Sequence, residues 1–460
     1  MFRRLAASGT YAVAALGGLA SAMARADGPA APLPPPVVAS TQGSGEPLHQ
    51  DWYSLHFQGT ASDQAHPSFP AAYSGTNSLD PAAENAFATV LDLFAAVHPW
   101  PGAVVCFQPE VSGGLGLSST LGVADFPSGE VYRVGDPAPA FIVGRAFVQQ
   151  TFGLGGGRVQ VESGPCVVAG PRDRNGLTLT LGRINGPDQF DANPVSNDPH
   201  YRFTNWGLWA SAAYDYAADT HGYTYGLTAV LDWNEWSARA GWTLEPLYAN
   251  QMQMDFEFWR SFSLILEGER RWTVHDRPGA VRLLGALNVA RMGSYEEAYD
   301  DPQYHDDVTA TREFGRQKYN VAASANQELA RGLSGFVRAS WDDGATETWA
   351  FTEVDRSLAL GVVQTGWRWK RPDDAAGVGF VGSLLSPQHR TYLASGGYGY
   401  IIGDGALAHY GPEMVGEIFY EAQLIPSFAV GADYQPIVNP AYNRDRGPVQ
   451  VFMLRATASF

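Results

Sequence analysis

Charged residues that could bind a polar solute are concentrated in the first half of the chain. They are Glu110, Glu130, Arg133, Arg145, Asp188 and Asp191. Carboxylates accept hydrogen bonds and guanidinium groups donate them, often two at a time. Facing groups of the two kinds can therefore hold an uncharged, hydroxyl-rich molecule without a metal or a cofactor. For each residue the alternative is a structural ion pair that touches no solute.

The local sequence indicates where some of these side chains point. In the stretch 105–111, alternation puts Val105, Phe107 and Val111 on one face and Gln108 and Glu110 on the other. Glu130 and Arg133 share one segment, and Arg145 follows on the next predicted strand. Asp188 and Asp191 belong to a long loop that could fold inward.

The sequence patterns of metal sites, phosphate-binding loops and hydrolytic active sites are absent from the chain. The acidic group at 300–307 has no EF-hand spacing, so an exposed acidic loop is the simpler interpretation. The chain has no H-E-x-x-H pair, no phosphate loop and no G-x-S-x-G elbow. Glu267 and Glu269 share one strand face, whereas glycoside hydrolysis needs carboxylates across a cleft. We therefore predict neither an enzyme nor a bound cofactor.

Composition narrows the function further. The 460 residues carry 30 Lys and Arg against 47 Asp and Glu, giving a net charge of −17. Such a surface repels phosphate, so nucleic acid is not an expected partner. Charged residues make up 17% of the chain, against roughly 25% in soluble domains. The even spread of 51 glycines and of the aromatic residues favours one large β-rich domain.

The beginning of the chain has the pattern of a secretory signal peptide. Two arginines, Arg3 and Arg4, precede an apolar stretch at 5–22, and two A-x-A sites follow at 22–26. We predict cleavage after Ala26. A retained membrane anchor is the alternative, but Gly17 and Gly18 weaken the apolar core. Residues 27–50 are rich in Pro and Ala and are predicted to form a flexible periplasmic tail.

From residue 51 onward, short stretches of alternating polarity are separated by turn residues. The stretches 332–342, 362–370 and 450–460 each have one apolar face and one face with a charge. Their length is close to the 9–11 residues of a membrane strand, and aromatic residues lie near their ends. After the signal peptide no apolar run reaches the roughly 18 residues of a membrane helix.

These features predict an all-β fold for residues 51–460, a transmembrane antiparallel β-barrel of the outer membrane. About 16 strands fit the length, with 14 or 18 as alternatives. Tight turns are predicted at 98–102, 155–157, 219–222 and 277–279, and longer loops at 186–201 and 294–311. Short turns would face the periplasm and long loops the exterior. Phe460, at the end of the last stretch, resembles the insertion signal read by the barrel-assembly machinery.

Cys106 and Cys166 are the two cysteines of the chain. An exported protein lies in an oxidising compartment, where a disulfide is permitted. Their separation of 60 residues does not decide whether they meet, so pairing stays open at this point.

Several segments follow one another in the order found in a known family. They are Pro109-Glu110 with the glycine-rich 113–118, 129–135, 145–147, 181–183, 188–193, Asn205-Trp206, 214–219, 222–226, 351–356, 392–397 and 439–448. On these segments the sequence resembles the carbohydrate-selective porin (OprB) family over nearly all of the mature chain. Cys106, Asp125 and Ser128 depart from the family pattern.

The resemblance implies an outer-membrane channel for passive diffusion of monosaccharides and small oligosaccharides such as glucose. Its expected partners are sugars as solutes, outer-membrane lipids and the assembly machinery, and its expected state is a monomer or a homotrimer. Binding must be weak enough for the sugar to leave. One alternative is a general porin without sugar preference. A less favoured one is an exported β-rich lectin or glycosidase.

Overall fold

The computed structural model describes residues 38–39, 49–130 and 137–460. The predicted signal peptide, most of the predicted tail and Arg133 lie outside the described residues. Sixteen antiparallel strands form one closed barrel. Each barrel strand pairs with its neighbour in sequence, and the first and last of them close the ring. The predicted fold class is confirmed.

The strands are numbered in chain order, and the barrel omits β1, β6 and β7. Their bounds are β1 Val38–Ala39, β2 Tyr53–His66, β3 Glu84–Val97, β4 Ala103–Gly114, β5 Ala140–Gly153, β6 Arg158–Val161, β7 Gly170–Asp173, β8 Gly176–Asn185, β9 Tyr223–Trp233, β10 Trp236–Leu244, β11 Phe262–Val274, β12 Arg277–Met292, β13 Glu313–Ala330, β14 Leu333–Asp342, β15 Arg356–Thr365, β16 Ala375–Leu384, β17 Glu413–Ile425, β18 Phe428–Val438 and β19 Val449–Ser459. In the described parts of the connections lie three short α-helices: α1 Trp206–Trp209, α2 Tyr295–Asp300 and α3 Pro387–Ser395.

The connections differ strongly between the two ends of the barrel. One end, here called the turn end, carries the short links at 98–102, 234–235, 275–276, 331–332, 366–374 and 426–427. The other end, here called the loop end, carries 67–83, 115–139, 186–222, 245–261, 293–312, 343–355, 385–412 and 439–448. One link at the turn end is longer than the others. It is 154–175, which contains β6 and β7.

Alternation along the strands separates the lipid face from the lumen. In β19, Phe452 and Leu454 are exposed on the outside, whereas Met453 and Arg455 are buried on the inside. In β14, Val337 is exposed and Arg338 is buried. Apolar side chains therefore meet the bilayer, and the charges predicted on the opposite face line the interior. Among the described residues, none of the helices combines the length and the apolar character that crossing a bilayer requires.

The predicted tight connections at 155–157 and 219–222 are parts of longer connections, 154–175 and 186–222. Two further local predictions were wrong. The stretch 362–370 does not continue as a strand, because β15 ends at Thr365 and a 3₁₀ helix, Gly366–Trp369, follows. There the Trp367 indole donates to the Arg331 carbonyl at 2.6 Å, so this aromatic residue packs on the adjacent turn. The predicted turn at 277–279 is in fact the start of β12. The turn is His275-Asp276, whose φ values of 50° and 61° match the paired left-handed residues of a tight hairpin.

The loss of stability caused by a charged substitution on the lipid face should depend on the depth of the residue in the bilayer. Leu283 lies near the centre of β12 with 62% exposure, and Leu329 lies at the turn end of β13. We expect Leu283→Arg to lower the free energy of unfolding by about 2–4 kcal/mol and Leu329→Arg by about 0–1 kcal/mol. Urea unfolding in lipid vesicles, followed by tryptophan fluorescence, measures both. Equal losses would contradict this placement of the membrane band.

Candidate functional site

The connection 186–222, here called the inner loop, lies inside the barrel, since it contacts strands on different walls. Its Asp191 forms an ion pair with Arg338 of β14 at 2.5 Å. Its backbone amides at Thr204 and Asn205 donate to the Glu417 carboxylate of β17 at 2.7 and 3.0 Å. These contacts, on strands three positions apart in the ring, fix the loop inside the lumen.

Further carboxylates hold the loop backbone in the same way. Glu267 of β11 accepts from the Asp191 amide at 2.6 Å. In the inner loop itself, Asp215 pairs with Lys318 of β13 at 2.9 Å and accepts from the Trp349 and Ala350 amides, both at 2.7 Å. The bonds from the Asp191, Trp349 and Ala350 amides each join a carboxyl acceptor to a buried backbone donor.

The segment 115–139 also folds inward, and it contains two of the departures from the family pattern, Asp125 and Ser128. Glu413 of β17 accepts from the Ala124 and Asp125 amides at 3.0 and 2.7 Å. The Asp125 side chain is fully buried and hydrogen-bonds the Ser383 hydroxyl. Burial raises the pKa of the Asp125 carboxyl to about 6, and the bond to Ser383 opposes this rise. Asp125 thus joins a loop to the wall.

A cavity of about 290 Å³ lies between the inner loop and the wall formed by β2–β5 and β9. Four of the six predicted charged residues line it: Glu110, Glu130, Arg145 and Asp188. Asp191 does not line the cavity, because its carboxylate is used by Arg338 and by the Ser211 amide at 2.7 Å. Arg133 lies outside the described residues. The structure thus brings together side chains that are up to 78 positions apart in sequence.

Arg145 of β5 is the cation of this site. Its guanidinium donates two hydrogen bonds to the Asp188 carboxylate, both at 2.6 Å, and one to the Gln108 amide oxygen at 2.7 Å. It also lies over the ring of Tyr223, 5.5 Å from the centroid. These contacts fix the plane of the guanidinium, and the bidentate pair orients it towards the loop.

The acidic side of the cavity is built from neighbouring strands. Glu110 of β4 accepts a hydrogen bond from the Tyr223 hydroxyl at 2.5 Å. On β3, Asp92 accepts from the Gln108 amide, also at 2.5 Å. Gln108 therefore connects Asp92 to Arg145, and the polar wall forms one continuous network. A solute hydroxyl can meet both acceptors and donors here within a short distance.

Glu130 and His200 meet at the edge of the cavity, with the carboxylate oxygen and Nε2 3.3 Å apart. The other imidazole nitrogen lies 2.8 Å from the Thr60 hydroxyl. Burial, together with the nearby cations Arg455 and Arg145, lowers the pKa of the His200 imidazole to about 3. Burial, reinforced by neighbouring carboxylates, raises the pKa of the Glu130 carboxyl well above its usual value. Both shifts favour uncharged forms, so the pair offers neutral hydrogen-bonding groups.

Aromatic rings form the opposite side of the cavity. The Trp206 and Phe351 rings are stacked with centroids 4.8 Å apart, and Phe351 and Tyr216 are stacked at 4.6 Å. All three residues line the cavity. The three rings place apolar atoms at the cavity surface next to the polar network. The combination suits a molecule that has both hydroxyl groups and C–H faces.

Sequence reasoning did not assign Asp92, His200, Tyr223 or the three stacked rings to a site. Two signals were present. Asp92 interrupts the otherwise apolar run 90–97, which marks a polar position facing inward. Trp206, Tyr216 and Phe351 fall in segments that carry the family resemblance. His200 had no such signal, because its position depends on the fold of the inner loop.

The cysteines meet at the turn end. Cys106 of β4 and Cys166 of the link 154–175 form a disulfide with Cα atoms 5.3 Å apart. Cys106 is buried on the lumen side of β4, two residues before Gln108 on the same face. The bond therefore attaches the long turn-end link to the wall that carries Glu110.

The model of the carbohydrate-selective porin, OprB family, matches residues 76–460. The chain belongs to this family. The match spans the barrel from before β3 to the end of β19, and it includes both sides of the cavity. This OprB-family protein is an outer-membrane porin and not an enzyme. The alternative of an exported lectin or glycosidase is thereby excluded.

A solved porin structure shares the fold, and a second is reported beside it. The high-pH structure of Pseudomonas putida OprB aligns with a TM-score of 0.66 at 16% identity, covering 89% of this chain and 94% of that one. The outer-membrane channel DcaP of Acinetobacter baumannii aligns with a TM-score of 0.49 at 8% identity, covering 89% and 97%. At these identities the likeness concerns the fold alone. No curated protein sequence matches the chain.

Removal of a wall carboxylate should loosen the inner loop. Glu417→Ala leaves the Thr204 and Asn205 amides without their acceptor in a buried position. We expect faster hydrogen exchange at 203–210 in the folded porin. Glu313→Ala, at an exposed side chain of the loop end, is the matched control and should leave exchange there unchanged. Equal exchange in the two variants would contradict the anchoring role of Glu417.

Proposed function

We propose that this porin conducts monosaccharides and small oligosaccharides such as glucose by passive diffusion, and that the cavity beside the inner loop is its sugar-contact site. The observation that carries the proposal is the joining of two surfaces in one cavity. One surface is the hydrogen-bonding network of Glu110, Arg145 and Asp188, and the other is the stack of Trp206 and Phe351. A sugar ring presents hydroxyl groups at its edge and C–H groups on its faces.

The geometry also explains how passage can stay fast. Arg145 and Asp188 already satisfy each other, and Glu110 is already bonded to Tyr223. A sugar hydroxyl must therefore exchange with existing bonds, so its net gain is small. Such weak binding orders the sugar without trapping it. The network and the loop anchors are in place before a solute enters, so no energy source is needed.

A general porin without sugar preference is the second candidate. The charge of the cavity argues against one version of it, an anion-tolerant channel. Among the described lining residues the acidic groups are Asp92, Glu110, Glu130, Asp188 and Asp198, of which Glu130 favours its uncharged form, and Arg145 is the one guanidinium. An excess of carboxylates at a constriction opposes anion entry.

Several further features belong to the same proposal. Residues 1–26 act as a cleaved signal peptide, 27–50 form a periplasmic tail, and the barrel-assembly machinery inserts 51–460 into the outer membrane. The porin is a monomer or a homotrimer. Mass spectrometry of the mature protein tests cleavage after Ala26, and light scattering with detergent correction tests the oligomeric state.

The main test is a proteoliposome swelling assay with glucose, a disaccharide and an amino acid close to glucose in size. We expect glucose to enter faster than the amino acid, because the cavity offers both stacking and paired hydrogen bonds. Equal rates would reduce the function to general diffusion. An absence of swelling with correctly inserted protein would overturn the channel itself.

Two substitutions refine the assay. We expect Glu110→Gln to slow glucose several-fold, since an amide is a weaker acceptor of hydroxyl protons than a carboxylate. We expect Trp206→Ala to bring the glucose rate towards that of the amino acid, since it removes one stacking ring. Glu313→Gln, remote from the cavity, controls for the change of charge. Unchanged sugar preference in both cavity variants would remove this cavity from the proposed site.

A further inference from the structure

The link 154–175 at the turn end, here called the floor segment, is built unlike the other turns. Its strands β6 and β7 pair with each other, and β6 also pairs with β1 in a three-stranded sheet outside the barrel ladder. The Asp51 amide donates to the Ala169 carbonyl at 2.9 Å, which joins the segment to the entry of β2. The floor segment therefore forms a small folded unit at one mouth of the barrel.

The tip of this segment points into the lumen. Gly164 and Val167 exchange backbone hydrogen bonds of 3.1 and 2.9 Å, which closes a tight turn with Pro165 and Cys166 at its tip. Pro165 is buried and lines the same cavity as Glu110 and Arg145. A turn at the mouth of the barrel thus reaches the proposed sugar site.

A covalent bond holds the tip against the wall. Cys166 is bonded to Cys106, which is 2% exposed and faces the lumen on β4. Cys106 and Val168 pack with Val104 and Ala96 in one apolar cluster. Near the tip, the Ser163 hydroxyl also lies 3.0 Å from the imidazole of the half-buried His56 on β2.

The strand register gives the position of the tip relative to the site. Cys106, Gln108 and Glu110 lie on the same face of β4 and rise towards the loop end. Four residues of strand span about 13 Å. The disulfide therefore lies below Glu110 by at most that distance, on the side from which a solute leaves for the periplasm. Pro165 therefore bounds the cavity on its turn-end side, where a solute leaves the Glu110 network.

We propose that the tip of the floor segment, fixed by the Cys106–Cys166 disulfide, sets the upper size of the sugars that leave the cavity towards the periplasm. The inference rests on the proposed channel function and adds a second determinant of selectivity to it. Glu110 and the aromatic rings act on the chemistry of the solute, whereas Pro165 and the disulfide act on its cross-section. The barrel ladder does not depend on the disulfide, so its loss should free the tip without opening the ring of strands.

The test uses swelling rates of full-length porin with glucose, a disaccharide and a trisaccharide. We expect the double variant Cys106→Ser with Cys166→Ser to raise the trisaccharide rate several-fold relative to the glucose rate. Heat-modifiable migration on gels establishes that the barrel of the variant is folded. An unchanged size series in folded double variant would overturn the proposal.

A second variant tests whether the tip sets the size limit if the double cysteine variant does not fold. We expect Pro165→Trp, which enlarges the tip, to lower the trisaccharide rate more than the glucose rate. Glu162→Trp is the matched control, because Glu162 is exposed on the same segment and does not line the cavity. Equal effects of the two tryptophans would overturn the proposal. A wild-type protein that admits no sugar would instead refute the proposed function.

Discussion

Carboxylates that accept hydrogen bonds from loop amides are the interaction on which the interior of this porin depends. Glu413 and Glu417 on the wall, and Asp215 within the inner loop, each accept from two or more backbone amides. A barrel of this width would otherwise enclose irregular backbone whose amides had lost water without gaining a partner. Because these acceptors hold the loops in one place, the cavity has a fixed shape and a fixed set of lining groups.

This arrangement changes the meaning of the net charge. A formal charge of −17 suggests an acidic surface. Many of the carboxylates are instead buried in the lumen, where they pair with Arg338, Lys318 or backbone amides. Many acidic residues thus hold the interior loops in place, in addition to keeping the outer loops soluble. The charged groups of the cavity differ in number, because several acidic side chains surround the single described guanidinium, that of Arg145.

The barrel could be predicted from the sequence because its signals are local. Alternation with period two reports which face meets lipid, and chain length then gives the strand number. The sequence did not predict positions that depend on contacts between residues far apart in the chain. Trp367 fits an alternating strand but packs on the turn at Arg331, and His200 reaches the cavity through the fold of a long loop. Whether Cys106 and Cys166 meet also depends on this long-range geometry, which spacing alone does not contain.

The pairing of β19 with β2 has a consequence for biogenesis. The first barrel strand finds one of its two partners only after every other strand has been made. Until then, two unpaired strand edges remain open, and such edges associate readily with other chains. Contacts of this sequence separation also form slowly. Both edges of the incomplete sheet therefore stay exposed until the barrel closes, and closure is a single late event, the meeting of the two ends of the sheet.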